Sequence, residues 1–167
     1  MLIRIFIYDD SHERRDSLKA LLSLNDELKV VGEAKNCTNV LTDVETSYPD
    51  IVLMDINMPQ VSGIEGLKLI KTNYPNIKVL MQTAFDDSDK IFTSIKNGAS
   101  GYILKSDKPQ RILQAIDEVV SGGAAMNPDI AQKVLEYFKP KTIENPLTPK
   151  ETAVLASVFS RTLAKIL

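Results

Sequence analysis

Five short apolar runs, each followed by a stretch with helical spacing, constrain this chain more than any other feature. The runs are "LIRIFIY" at 2–8, "KVVGEA" at 29–34, "DIVLMD" at 50–55, "IKVLMQT" at 77–83 and "GYILK" at 101–105. They have strand length and β-branched character. Between and after them come Leu18, Leu21 and Leu22; Val40, Leu41 and Val44; Ile64, Leu67 and Ile70; Ile91, Phe92 and Ile95; and Ile112, Leu113, Ile116, Val119 and Val120. Each set falls on one side of a helix. Regular β-α alternation requires crossover connections, which are right-handed and produce a parallel sheet with helices on both faces. Strands buried on both faces read as continuous apolar runs, as these do.

In such sheets ligands bind beyond the carboxyl ends of the strands, where strand order reverses. The first run ends on Asp9 and Asp10, the third on Asp55, the fourth on Thr83 and the fifth on Lys105, whereas the second ends blandly on Ala34. Strands one and three are therefore expected as neighbours with strand two outside them. The predicted fold is α/β: a doubly wound, five-stranded parallel sheet, flavodoxin-like, of order 2-1-3-4-5, with a helical extension at the C-terminus.

The extension begins after Gly122 and Gly123. In "NPDIAQKVLEYF", Asn127 is a helix cap, Pro128 occupies the first helical position, and Ile130, Val134, Leu135 and Phe138 are the apolar set. "KPKTIENP" at 139–146 is a polar linker, and "LTPKE" then opens another helix with Thr148 as cap, Pro149 at its first position and Glu151 completing a capping box. The expected division is 1–122, 123–146 and 147–167.

Bulk properties narrow the function. A net charge of −2 with scattered basic residues lacks the electrostatic footprint of a nonspecific nucleic-acid binder. Cys37 is the single cysteine, and "MLIRIFIYDD" meets acid too soon for a signal peptide, so the cytoplasm is the expected compartment. No stretch approaches the ~18 uninterrupted apolar residues of a spanning helix, so no membrane role is expected of the chain itself.

Carboxylates gathered at one edge repel one another unless protons or a cation intervene. With no His or Cys among the converging residues, a hard divalent ion such as Mg2+ suits the set better than zinc. One carboxylate then has the chemistry to act as a covalent nucleophile toward phosphorus. Lys105 offers a mobile positive charge for phosphate oxygens and Thr83 a hydroxyl donor. Taken singly these residues have bland readings: Asp9 and Asp10 as caps of the helix near Ser11, Thr83 as a strand end, Lys105 as a solvated loop residue. Met54, Met58 and Met81 read as core filling, Cys37 as packing or helix start, and His12 as exposed.

Together, "YDDS", "LMDINMPQVSGIEG", "MQTA" and "GYILKS" resemble the receiver domain of two-component response regulators, over residues 2 to about 121. Ser106 after Lys105 is similar to the LuxR-type (NarL/FixJ) subgroup. The resemblance implies that Asp55 accepts a phosphoryl group from a histidine kinase and becomes 4-aspartylphosphate. It further implies that Asp10, Asp55 and the backbone carbonyl of Asn57 bind Mg2+ directly, with Asp9 acting through water. Thr83 and Lys105 would contact the phosphoryl group, and Tyr102 would change rotamer when Thr83 is drawn to it. Phe85, two places beyond Thr83, is a candidate shield of the acyl phosphate from water.

"LTPKETAVLASVFSRTLAKIL" resembles the opening of a LuxR-type helix-turn-helix, without the usual Gly-containing turn. The family's partner is DNA, but the recognition helix would come after Leu167. For these 167 residues an amphipathic helix that packs on a neighbour or pairs two subunits into a homodimer is favoured over an operator reader. A haloacid-dehalogenase-type phosphatase also uses Asp, Mg2+, Thr or Ser, and Lys. Its nucleophile comes first in the chain, however, with an acid two residues on, where this chain has Asn57. A receiver that only docks, without chemistry, and a flavin or nucleotide binder of the same fold are weaker rivals. The former has no need of all the chemical positions, and the latter's phosphate would meet acidic strand ends.

Overall fold

A computed structural model of the chain describes residues 2–84, 87–138 and 150–154. In chain order the elements are β1 (Ile3–Tyr8), α1 (His12–Leu22), β2 (Leu28–Ala34), α2 (Val40–Ser47), β3 (Ile51–Asp55) and α3 (Gly63–Asn73). They continue with β4 (Lys78–Thr83), α4 (Ser88–Lys96), β5 (Gly101–Leu104), α5 (Pro109–Val120), β6 (Ala125–Met126) and α6 (Pro128–Phe138). The strands form one sheet of order β2-β1-β3-β4-β5-β6, parallel at every pairing. This is the doubly wound α/β fold expected from the alternation, with one strand more than the five anticipated. The sixth strand is two residues long, too short to carry any periodicity.

Alternation of side chains along each strand divides the interior in two. Ile5, Ile7, Leu53, Leu80 and Ile103 point to one face, where Leu18 and Leu22 of α1 and Ile112, Ala115, Ile116 and Val119 of α5 cover them. Phe6, Tyr8, Val52, Met54, Val79, Met81 and Tyr102 point to the other, under Val40 and Val44 of α2, Leu67 and Ile70 of α3, Ile91 of α4 and Ile130 of α6. Met54, Met58 and Met81 are core residues, as is Cys37, whose Sγ lies 3.3 Å from Met54 Sδ. Burial pushes the Cys37 thiol up to about 12, so it stays protonated and unreactive.

The chain falls into two compact units, Met1–Glu136 and Tyr137–Leu167. The first takes in β6 and most of α6, where Asn127 Oδ1 accepts from Ile130 N at 2.9 Å as the cap that the sequence anticipates. Of the second, residues 150–154 are helical. The expected linker at 139–146, the Thr148 cap and the remainder of the helix-turn-helix resemblance lie outside the described residues, as does Phe85. Among the described residues no helix is long and apolar enough to cross a membrane.

Candidate functional site

Two strand ends, Asp55 and Thr83, and two residues just past strands, Asp9 and Lys105, bring the predicted groups to a single edge. Asp9 follows β1, Asp55 closes β3 and Lys105 follows β5. Their side chains continue the alternation of Ile7, Leu53 and Ile103 on the α1/α5 face. Lys105 Nζ lies 2.7 Å from Asp9 Oδ2 and 2.9 Å from Asp55 Oδ2, so one ammonium joins two carboxylates. Both acids are almost wholly buried, at 1% and 3% exposure. Asp10, exposed, completes a trio whose oxygens lie within 4.8 Å of one another.

Burial raises the Asp55 carboxyl above the usual carboxylate range, and the hydrogen bond and charge of Lys105 offset only part of that. Burial also works against the Lys105 ammonium, but its bonds to Asp9 and Asp55 outweigh the loss and hold it above its ordinary value. The result is a lysine whose charged form is favoured between two acids. Its backbone is fixed too, since Lys105 N donates to Thr83 O at 2.7 Å.

Local structure explains how each acid is held. Ser11 is the N-cap of α1, its Oγ accepting from Arg14 N at 3.2 Å, while Ser11 N donates to Asp9 Oδ1 at 3.0 Å. Asp9 is therefore oriented by the turn into α1 but does not cap it. Arg15 Nη1 donates to Asp9 O at 2.7 Å. On the other side, the loop after Asp55 doubles back so tightly that Gly63 N donates to Ile56 O at 3.0 Å. A Cβ at Gly63 would stand 1.8 Å from the carbonyl oxygen of Asp55, so only glycine fits there. Gln60 in the same loop has a left-handed φ of 69°, and its Oε1 accepts from Asn36 Nδ2 at 2.9 Å and Thr38 Oγ1 at 3.2 Å.

Asn57 N approaches Asp55 Oδ1 at 3.4 Å, and the Asn57 side chain is exposed. Thr83 ends β4 fully buried, and Tyr102 is 1% exposed in the cluster containing Met81 and Ile91. Thus Asp9, Asp10, Asp55 and Lys105 converge on one face, while Thr83 and Tyr102 continue the opposite face of the same sheet edge. His12 has 73% of its side chain exposed and, among the described residues, pairs only with Asp16, at 3.6 Å.

Two features escaped the sequence reading. Gln82 is the register partner of Asp55, and its Oε1 accepts from Arg14 Nη2 at 3.3 Å, so the wall beside the acceptor is polar. A glutamine interrupting the apolar run "KVLMQT" was the available signal. The second, a contact of Lys90 with Asn57, joins residues 33 apart and has no local signature.

The donor set fits a hard divalent ion: the clustered groups are carboxylates, with neither imidazole nor thiol in the cluster among the described residues.

Residues 5–117 match the family described as the response regulator receiver domain. The transcriptional regulatory protein LnrK of Bacillus subtilis (strain 168) is 39% identical over 94% of this chain and 77% of its own length. The transcriptional regulatory protein DegU of Brevibacillus brevis is 34% identical over 82% of this chain and 58% of its own. Among solved structures, a LuxR-family two-component response regulator from Aurantimonas sp. SI85-9A1 superposes with a TM-score of 0.77 at 32% identity, covering 82% of this chain and 98% of that one.

Proposed function

This chain belongs to the response regulator receiver family, and on that premise we propose that Asp55 accepts a phosphoryl group from a phosphohistidine of a histidine kinase. The observation that carries the reading is the bridging of Asp9 and Asp55 by Lys105 at 2.7 and 2.9 Å. It gathers a nucleophilic carboxylate and a cation that phosphoryl transfer needs.

An Asp55 carboxylate oxygen attacks phosphorus, the P–N bond breaks, and its electron pair leaves with the imidazole of the donor. The product is an acyl phosphate on Asp55. Burial serves this step by stripping water from the attacking oxygen, and Lys105 transfers its N–H donors from carboxylate to the incoming phosphoryl oxygens. Asp10, Asp55 and the Asn57 carbonyl, supported by Asp9, would hold Mg2+, which would supply charge neutralisation at the acceptor. Gln82 and Arg14 keep the neighbouring wall polar without adding an acid.

Thr83, at the end of the strand between Asp55 and Tyr102, is the donor that follows the phosphoryl group. Tyr102, buried beside it, shifts the population between two arrangements of the α4 and β5 surface. The chain works in the cytoplasm as a regulator whose output is transcription, the activity named for its relatives. DNA is the partner of the parent family's LuxR-type domain, whose opening is read only in residues 147–167.

Acetyl phosphate with Mg2+ tests the acceptor. Wild type gains one phosphoryl group by intact mass, the adduct is released by hydroxylamine, and Asp55→Ala gains none. An unlabelled wild type, or equal labelling of the variant, defeats the reading.

A further inference from the structure

The side chain of Asn57, two residues beyond the acceptor, is not free in solvent: its Oδ1 accepts from Lys90 Nζ at 2.8 Å. Lys90 is the third residue of α4, and Asn57 N in turn approaches Asp55 Oδ1 at 3.4 Å. An ammonium is thus parked at the mouth of the acceptor site on a neutral amide oxygen. Among the described residues it makes no ion pair. Asp87, the N-cap of α4, is engaged with the helix backbone, accepting from Asp89 N at 3.0 Å. An amide oxygen is a weak partner for an ammonium, and a phosphoryl oxygen is a strong one. A lysine on a flexible stem changes partners at little cost.

The helix that carries Lys90 packs with one polar group unmet. Ser94, one turn further on, is fully buried, and its Oγ has no hydrogen-bond partner among the described residues. Such a hydroxyl is a standing penalty on that packing.

We propose that Lys90 is a positioning residue of the acceptor site, which exchanges the Asn57 amide for an oxygen of the phosphoryl group on Asp55 and so draws the first turn of α4 toward the modified residue. The inference rests on the reading of Asp55 as phosphoryl acceptor. It differs from a fixed tether in one respect: the Asn57 amide competes with the phosphoryl group for Lys90 and does not assist it.

Calorimetric titration with beryllofluoride and Mg2+, a stand-in for the phosphoryl group, separates these roles. Lys90→Gln, which keeps a donor for Asn57 but no charge, is expected to bind about three- to tenfold more weakly than wild type, as does Lys90→Ala. Lys90→Arg retains most of the affinity. Wild-type affinity in Lys90→Gln and Lys90→Ala overturns the exchange while leaving the acceptor reading intact. Absence of binding by wild type overturns both.

Discussion

Asp55 is costly to the folded chain in a way that reveals its purpose. Its carboxyl is raised above the ordinary range because burial penalises the charged form more than Lys105 repays. A group with a raised folded pKa contributes stability that is fully present below the unfolded value and is lost as pH rises through the folded one. The ionised Asp55 therefore weakens the fold at neutral pH, and an amide at the same place does not. Thermal melts in chelator are expected to show Asp55→Asn gaining stability over wild type as pH is raised from acid to neutral. A gap between the two that stays constant across that window would contradict the account. The same burial that costs stability removes water from the nucleophile, so a residue chosen for packing alone would not be acidic here.

Among the elements, α3 decides where the acceptor loop can go. Ser62 Oγ accepts from Glu65 N at 3.3 Å and Glu65 Oε2 accepts from Ser62 N at 2.9 Å, a reciprocal cap that starts the helix. One residue later, Gly63 lies against the Asp55 carbonyl. These adjacent positions have separable roles. Ser62→Ala is expected to cost about 1 kcal/mol in urea unfolding with little change in Asp55 phosphorylation. Gly63→Ala, which must displace the acceptor's own backbone, costs roughly 1–3 kcal/mol and slows acceptance markedly. Equal phosphorylation rates in the two variants would refute the distinction. The strands of this edge were legible in advance because burial on both faces makes each of them a short apolar run. The cap of α3 went unread, although Ser62 and Glu65 have the spacing of a capping box. The cap sought at Thr148 lies outside the described residues. What no local pattern reveals is tertiary: the seat of Gly63 on Asp55, the Arg14 to Gln82 contact and the meeting of Lys90 with Asn57 depend on segments remote in sequence. The two residues of β6 form a strand only because β5 offers them an edge.

At the scale of the whole molecule, the sheet is a rigid frame with both faces covered, and its chemistry is confined to one end of it. Convergence of Asp9, Asp10 and Asp55 from the ends of β1 and β3 means that an ion binding there engages the native chain and finds no equivalent set in the unfolded one. Global stability is thereby linked to occupancy of a local site. For a ligand that binds only the native state, a concentration of one hundred times Kd adds about 2.7 kcal/mol. Mg2+ is accordingly expected to raise the melting temperature of wild type, with chelator reversing the gain, and to do little for Asp10→Asn. The increment should shrink as pH falls into the acid range, where protons compete with the ion for Asp55, whose carboxyl burial raises. Because Lys105 already satisfies part of the charge on Asp9 and Asp55, the ion adds to a site that holds together without it. That predicts a gain in stability on binding rather than a folding transition, and the circular dichroism of wild type in chelator should match that in Mg2+ at temperatures below melting.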